Sequence, residues 1–172
     1  MEPNMFCYQC QETAKGTGCI LKGVCGKESH TAQAMDLLLF VVRGVSVVAD
    51  VLRKADCPVS EEVNIFVTDA LFCTITNANF DDESILKRVD KGITMRNGLI
   101  QEAKHNKVLL PKVDELTWQG TRDDYAGKAK TVGVLREQNE DLRSLKELLV
   151  YGLKGMAAYL EHAMRLGFND DT

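Results

Sequence analysis

The sequence lacks any segment that would carry the chain into or across a membrane. No stretch reaches the roughly 18 to 20 consecutive apolar residues that span a bilayer. The start, Met1-Glu2-Pro3-Asn4, has neither the basic region nor the apolar region of a secretory signal. We therefore expect a cytoplasmic protein. Thiols in that compartment stay reduced, so clustered cysteines there favour metal binding over disulfides.

An excess of charge of one sign is also lacking. The formal net charge is -4, and acidic and basic residues are interspersed along the chain. Without a basic stripe, neither nucleic acid nor an anionic membrane surface is expected as a partner. The sequence further lacks a glycine-rich phosphate loop, a G-x-S-x-G elbow and an H-E-x-x-H motif. No catalytic residue is therefore predicted in this chain.

Proline is scarce, with three residues in 172, whereas 45% of the residues are apolar. A chain of this length and composition can bury a real core, and few prolines interrupt long helices. Apolar periodicity, N-cap residues and stop signals predict helices over about residues 29–55, 60–76, 82–105, 123–130 and 140–166. Gly92 and Gly98 argue against the third helix, and residues 107–121 are typical of a connection. We expect an all-α fold.

Two segments of the chain resemble each other. DLLLFVVRGV at residues 36–45 and ELLVYGLKGM at residues 147–156 match in residue type at nearly every position, with Gly44 and Gly155 aligned. The pattern predicts two related helical units, each of which lets another helix approach at its glycine; chance similarity between two buried helices is the alternative. We divide the chain accordingly. The parts are a cysteine-rich loop (1–28), a first helical unit (29–106), and a connection with a second helical unit (107–172).

Four of the six cysteines fall in the first 28 residues. They are Cys7, Cys10, Cys19 and Cys25, with the spacing C-x2-C-x8-C-x5-C. Four thiolates so close in sequence can hold an iron-sulfur cluster, and the glycines among them let backbone N–H groups approach it. Lysines at positions 15, 22 and 27 would offset part of its negative charge. A zinc site with the same ligands is the alternative, although zinc sites favour closely spaced pairs at both ends; paired disulfides rank lower.

The remaining cysteines, the histidines and the tryptophan carry weaker signals. Cys57 and Cys73 stand apart in sequence, so we expect small buried or helix-end thiols. The three histidines share no metal-ligand spacing, and surface or helix-end positions are expected for them. They are His30, His105 and His162. Trp118 is expected to anchor packing.

The cysteine segment resembles a known family, the hybrid-cluster proteins, also called hydroxylamine reductases. MFCYQCQETA at residues 5–14, Gly18-Cys19 and KGVCGK at residues 22–27 are similar to the N-terminal cluster signature of that family. Further similar stretches are residues 74–82, 128–133, 139–145 and 152–159. The resemblance therefore extends over essentially the whole chain.

The resemblance implies a particular cofactor and architecture. In the family, a gap of seven or eight residues between the second and third cysteines goes with a cubane [4Fe-4S] cluster, whereas a longer gap goes with a [2Fe-2S] cluster. The gap of eight residues here implies [4Fe-4S]. Its ligands would be Cys7, Cys10, Cys19 and Cys25. The N-terminal domain of the family consists of two three-helix bundles, in agreement with the internal repeat.

The resemblance also implies a function. Family members reduce hydroxylamine to ammonia, or nitric oxide to nitrous oxide, at a hybrid iron-sulfur-oxygen cluster held by later domains that this chain lacks. That cluster is therefore not expected here, and the chain alone should be inactive. The implied partners are the remaining domains of the parent enzyme and a redox partner that donates electrons. A helical binding or assembly module, with a structural metal on the four cysteines, is the alternative.

Overall fold

The computed structural model describes residues 5–75 and 79–168. Within these ranges the chain forms helices and no strand longer than a single bridge, which confirms the all-α prediction. The helices are α1 Ser29–Lys54, α2 Glu61–Ile75, α3 Asp82–His105, α4 Asp114–Thr117, α5 Arg122–Val132 and α6 Glu140–Arg165. Four of the five predicted helices match within about two residues at each end. The predicted end of the remaining one, at residue 76, lies outside the described residues.

Polar side chains start these helices, as the sequence pattern predicts. Asp81 accepts a hydrogen bond from the Ser84 amide (3.1 Å), and Asn139 accepts one from the Leu142 amide (3.1 Å). Thr121 opens α5 with a reciprocal capping box. Each cap satisfies an amide that has no partner inside its own helix. The starts of three helices are therefore fixed locally.

Helix α1 is the centre of the core and packs against α2, α3, α4 and α5. Helix α3 crosses it at Gly92, where a Cβ atom would lie 2.6 Å from Val41 Cγ1 and 2.7 Å from Phe66 Cζ. The glycine that argued against α3 thus lies inside an unbroken helix. It is needed there because α1 and α2 both approach too closely for a side chain.

The predicted connection contains a short helix, α4, held by a buried arginine. Arg96 of α3 is fully buried and donates to the carbonyl oxygens of Glu115 (2.9 Å) and Trp118 (2.8 Å). The Glu115 carbonyl lies 2.5 Å from a Cβ placed on Gly44, so this glycine does allow a close approach. Trp118 packs edge-on against Phe40 at a centroid distance of 5.9 Å, as its predicted role requires.

Helix α6 packs mainly against α2. Only Lys154, Ala157 and Glu161 are buried on it. No atom of the described residues lies within 4 Å of a Cβ placed on Gly155, so the predicted close approach at that glycine is wrong here. We call the exposed apolar side chains of this helix the outer face of α6. They are Leu142, Leu145, Leu148, Leu149, Leu153, Met156, Tyr159 and Leu160.

The core crosses the predicted boundary between the helical units. Leu116, Tyr125 and Ala129 belong to the same buried cluster as the residues of α1 and α3. The division at residues 106 and 107 stays a prediction. In the described part of the chain, no helix is both long and apolar enough to cross a membrane.

Candidate metal centre

The four N-terminal cysteines line one cavity. Besides these residues, the cavity is bounded by Thr13, Gly23 and Lys27 of the loop and by Thr74 and Ile75 at the end of α2. The loop folds over the end of α2 and the start of α1. Cysteines that lie up to 18 positions apart in sequence therefore face a common space.

A pair of backbone hydrogen bonds joins the two halves of the loop. The Cys7 amide donates to the Cys19 carbonyl (3.0 Å), and the Cys19 amide donates to the Cys7 carbonyl (2.9 Å). Both cysteines are buried, and with Met5 and Ala32 they form a small hydrophobic cluster separate from the main core. This bridge fixes the first and third cysteines side by side.

The sulfur of Cys19 is surrounded by hydrogen-bonding groups. The Ala14 amide donates to it (3.4 Å), and the Thr13 hydroxyl lies 3.8 Å away. Burial raises the pKa of the Cys19 thiol, but hydrogen bonds from the amides of Ala14 and Val24 and from Thr13 bring it below its ordinary value. Such donors stabilise a thiolate, which is the form that binds metal.

Burial acts differently on Cys7. Loss of hydration raises the pKa of its thiol to about 11, although the Gln9 amide donates to this sulfur and opposes the shift. A bound metal would lower that value, because it replaces the proton on sulfur. Without metal, Cys7 therefore stays a neutral thiol at pH 7.

Two glycines bring the backbone close to the cavity. A Cβ atom on Gly23 would lie 3.0 Å from Cys25 Sγ and 3.1 Å from the Lys27 amide nitrogen. Gly26 has φ +94°, a conformation that residues with a side chain rarely adopt. The turn that presents Cys25 thus depends on glycine at both positions.

Of the three lysines predicted to offset negative charge, one lies inside the site. Lys27 is 3% exposed and lines the cavity, and its ammonium donates to the Asn79 carbonyl (3.0 Å). Lys22 is exposed and pairs with Glu28 (2.7 Å), and Lys15 is exposed. Of these three lysines, Lys27 is the one that brings a buried positive charge to this space.

The structure also contains a buried lysine that sequence reasoning missed. Lys154 of α6 donates to the Gln9 side chain, between the first two cysteines, and Gln9 in turn contacts Asp36 of α1. Burial lowers the pKa of Lys154 and raises that of Asp36. A signal was available in the sequence, because Lys154 interrupts the apolar run of the second repeat segment and Asp36 stands at the start of the first.

The other cysteines and the histidines lie elsewhere. Cys73 is buried on α2, where the Asn79 side chain donates to its sulfur (3.0 Å), and Cys57 is partly buried just after α1. Their predicted placement as small buried or helix-end thiols is confirmed. His30 pairs with Asp82, and the ring of His162 contacts that of Phe72. None of these side chains lines the cysteine cavity.

The possible metal donors of the cavity are the side chains of four cysteines. In the ranges 5–75 and 79–168, no three Cys, His, Asp or Glu side chains converge closely enough to hold a single metal ion. The four cysteines line one cavity, and amide donors approach the sulfurs of two of them. Thiolates around a cavity, with hydrogen bonds to sulfur, are the donor set of an iron-sulfur cluster.

Comparisons with known proteins identify the family of this chain. The family model described as Prismane/CO dehydrogenase family matches residues 5–172. A hydroxylamine reductase of Bacteroides thetaiotaomicron is 56% identical over 166 residues, covering 96% of this chain and 30% of the relative. Those of Porphyromonas gingivalis (49% identical) and Desulfitobacterium hafniense (46% identical) each align over 172 residues and 31% of their own length.

This chain thus spans about a third of the length of the curated relatives it matches. The match of the family model to nearly the whole chain confirms the resemblance seen at the cysteine segment. The chain belongs to the prismane/CO dehydrogenase family.

Proposed function

We propose that this chain is the N-terminal electron-transfer part of a hydroxylamine reductase, in which the four cysteines of the loop bind a [4Fe-4S] cluster. These ligands are Cys7, Cys10, Cys19 and Cys25. One observation carries the proposal, namely that all four thiols line a single cavity. The gap of eight residues between the second and third cysteines supports the cubane form.

A bound cluster would supply one-electron transfer. The residues of this chain hold and tune that site. The Ala14 amide and the Thr13 hydroxyl stabilise negative charge on Cys19, and Lys27 adds a buried positive charge. Met5 and Ala32 pack with Cys7 and Cys19 in a small buried cluster.

The parent enzyme, in this proposal, reduces hydroxylamine to ammonia and water, and nitric oxide to nitrous oxide. The names of the relatives support the first reaction. Because this chain spans about a third of those relatives, its role is to pass electrons from a redox partner in the cytoplasm toward a hybrid cluster held by other domains. The chain alone should not turn over either substrate.

The outer face of α6 is a candidate contact surface for the remaining domains of the parent enzyme. Leu148, Met156 and Tyr159 are 70%, 69% and 83% exposed. An exposed apolar stripe of this length on one helix marks a contact surface. We infer that other parts of the parent enzyme cover it.

Metal analysis of anaerobically purified chain tests the cluster assignment. We expect about four iron and about four acid-labile sulfide per chain, a broad visible absorption, and an EPR signal after reduction with dithionite. Cys19→Ser should lose the cluster, whereas Cys57→Ser, at a cysteine outside the cavity, should keep it.

Other results would contradict the proposal. Zinc without labile sulfide would favour the alternative of a structural metal in an assembly module. About two iron and two sulfide per chain would overturn the cubane assignment. Turnover of hydroxylamine by the purified chain, with no other protein added, would overturn the division of labour between domains.

A further inference from the structure

Lys154 places a buried positive charge against the segment that joins the first two cysteines. It is 2% exposed, and its ammonium donates to the side-chain carbonyl of Gln9 and lies 3.5 Å from the Gln9 main-chain oxygen. Gln9 stands between Cys7 and Cys10 in the chain. Burying an ammonium is unfavourable unless nearby groups compensate it, so this position needs an explanation.

Gln9 links that lysine to helix α1 and to a ligand sulfur. Its side-chain amide donates to Asp36 Oδ1 (2.6 Å), and its backbone N–H donates to the sulfur of Cys7. Both Gln9 and Asp36 are buried. The Gln9 side chain is therefore held at both ends, and a substitution at Lys154 removes one of these two contacts from a residue whose backbone N–H donates to a cysteine of the site.

The charges around this network are mixed. The charge of Glu147 on α6 acts on both Asp36 and Lys154. The charge of Arg43 on α1 acts on Asp36 and Glu147, so two acidic and two basic side chains interact here. Lys154 and Asp36 both hydrogen-bond to Gln9 of the cysteine segment, and Lys154 is the positively charged one of the two. Its charge acts on Cys7 and Cys10, whereas the charge of Asp36 acts on Cys7 in the opposite direction. A positive charge and hydrogen bonds near sulfur favour the reduced form of an iron-sulfur cluster, which carries more negative charge.

We propose that Lys154 is a positioning residue that raises the reduction potential of the cysteine-bound cluster, through its charge and through Gln9. The inference rests on the proposed cluster on the four cysteines. Helix α6 thereby has a role in the electron-transfer site, although it is far in sequence from the four cysteines. The four proposed cysteine ligands stay the same.

Redox titration of the anaerobically purified chain tests this role. We compare wild type with Lys154→Met, which removes the charge and keeps the length of the side chain. Lys146→Met is the matched control, because Lys146 lies on the same helix, is exposed and pairs with Glu137. The midpoint potential is measured from the EPR signal, with iron and labile sulfide determined on the same samples.

We expect Lys154→Met to shift the midpoint potential to more negative values at unchanged iron and sulfide content, and Lys146→Met to match wild type. Equal potentials in all three proteins would overturn the inference and leave the cluster assignment intact. Absence of iron and sulfide from wild type would overturn the cluster assignment itself. If Lys154→Met loses its cluster, Lys154→Gln, which keeps a donor without the charge, should show the negative shift; a wild-type potential in that variant would overturn the inference.

Discussion

Single glycines decide how closely the helices pack. Gly44 accommodates the carbonyl of Glu115, and Gly92 lies against Val41 and Phe66. In an isolated helix both glycines would be unfavourable, by roughly 1 kcal/mol relative to alanine. Both glycines stabilise this fold because residues distant in sequence pack against them. Local helix propensity alone would predict that they destabilise it.

Two glycines of α3 provide a matched pair for this argument. Gly92→Ala should lower the free energy of unfolding by about 1–2 kcal/mol, because the strain of an overpacked methyl exceeds the gain in helix propensity. Gly98→Ala, with no atom within 4 Å of the added Cβ, should raise it by about 0.5–1 kcal/mol. Urea denaturation followed by circular dichroism measures both. Stabilisation by both substitutions would contradict the close packing at Gly92.

At the scale of elements, the helices were predictable and several tertiary contacts were not. Helices α3 and α6 begin where Asp81 and Asn139 cap them, and such caps are visible in the sequence. Helix α4 has four residues, too few for an apolar period, and Arg96 of another helix holds its carbonyls. The contact of Lys154 with Gln9 spans 145 positions, beyond the reach of any local pattern.

Some features of the candidate site could likewise be predicted from the sequence, and others could not. The cysteine spacing predicted the loop, and the family resemblance implied its cofactor. The hydrogen bonds of Thr13 and Ala14 to Cys19 could not be predicted, because they depend on the fold of the loop around the bridge between Cys7 and Cys19. Which of the nearby lysines would be buried also depended on that fold.

The cysteine loop is the element whose fold a metal bound at the four cysteines would stabilise most. Its own buried cluster is small, so removing the metal should open residues 1–28 while the helices persist. We expect trypsin to cleave after the exposed Lys15 and Lys22 at least about tenfold faster in metal-free chain than in loaded chain. Mass spectrometry of the digest identifies the cuts, and circular dichroism monitors the helices.

The control for this experiment is the chain loaded with metal and carrying Cys57→Ser. Its loop should be as resistant as that of the loaded wild type, because Cys57 lies outside the cavity. Equal cleavage rates with and without metal would mean that the loop holds its own fold. That result would contradict the dependence argued here.

The whole molecule has one well-covered core and one helix with an uncovered side. Helices α1 to α5 share a continuous buried cluster, whereas α6 buries three residues and exposes an apolar stripe. In the isolated chain that stripe meets water, an unfavourable state that self-association relieves. The molecule is therefore expected to form oligomers at high concentration.

Lysine substitutions on the outer face of α6 test this expectation. Leu145→Lys combined with Leu149→Lys should shift the chain toward monomer in sedimentation velocity runs, because two charges disrupt the apolar stripe while lysine still suits a helix. Leu109→Lys, at an apolar residue 92% exposed outside this helix, is the control and should behave as wild type. A wild-type chain that stays monomeric at about 100 µM would contradict the expectation.

The fluorescence of Trp118 reports on the helical core separately from the cysteine loop. It is the one tryptophan of the sequence, and its ring lies 5.9 Å from Phe40 and 6.0 Å from Tyr125, in the packing of α1 against α4 and α5. It does not line the cysteine cavity. Indole emission therefore follows the helical core, whereas the visible absorption of a cluster bound at the four cysteines would follow the cysteine loop. Fluorescence and absorption recorded on one sample during unfolding can therefore show whether the core and the loop unfold together or one after the other.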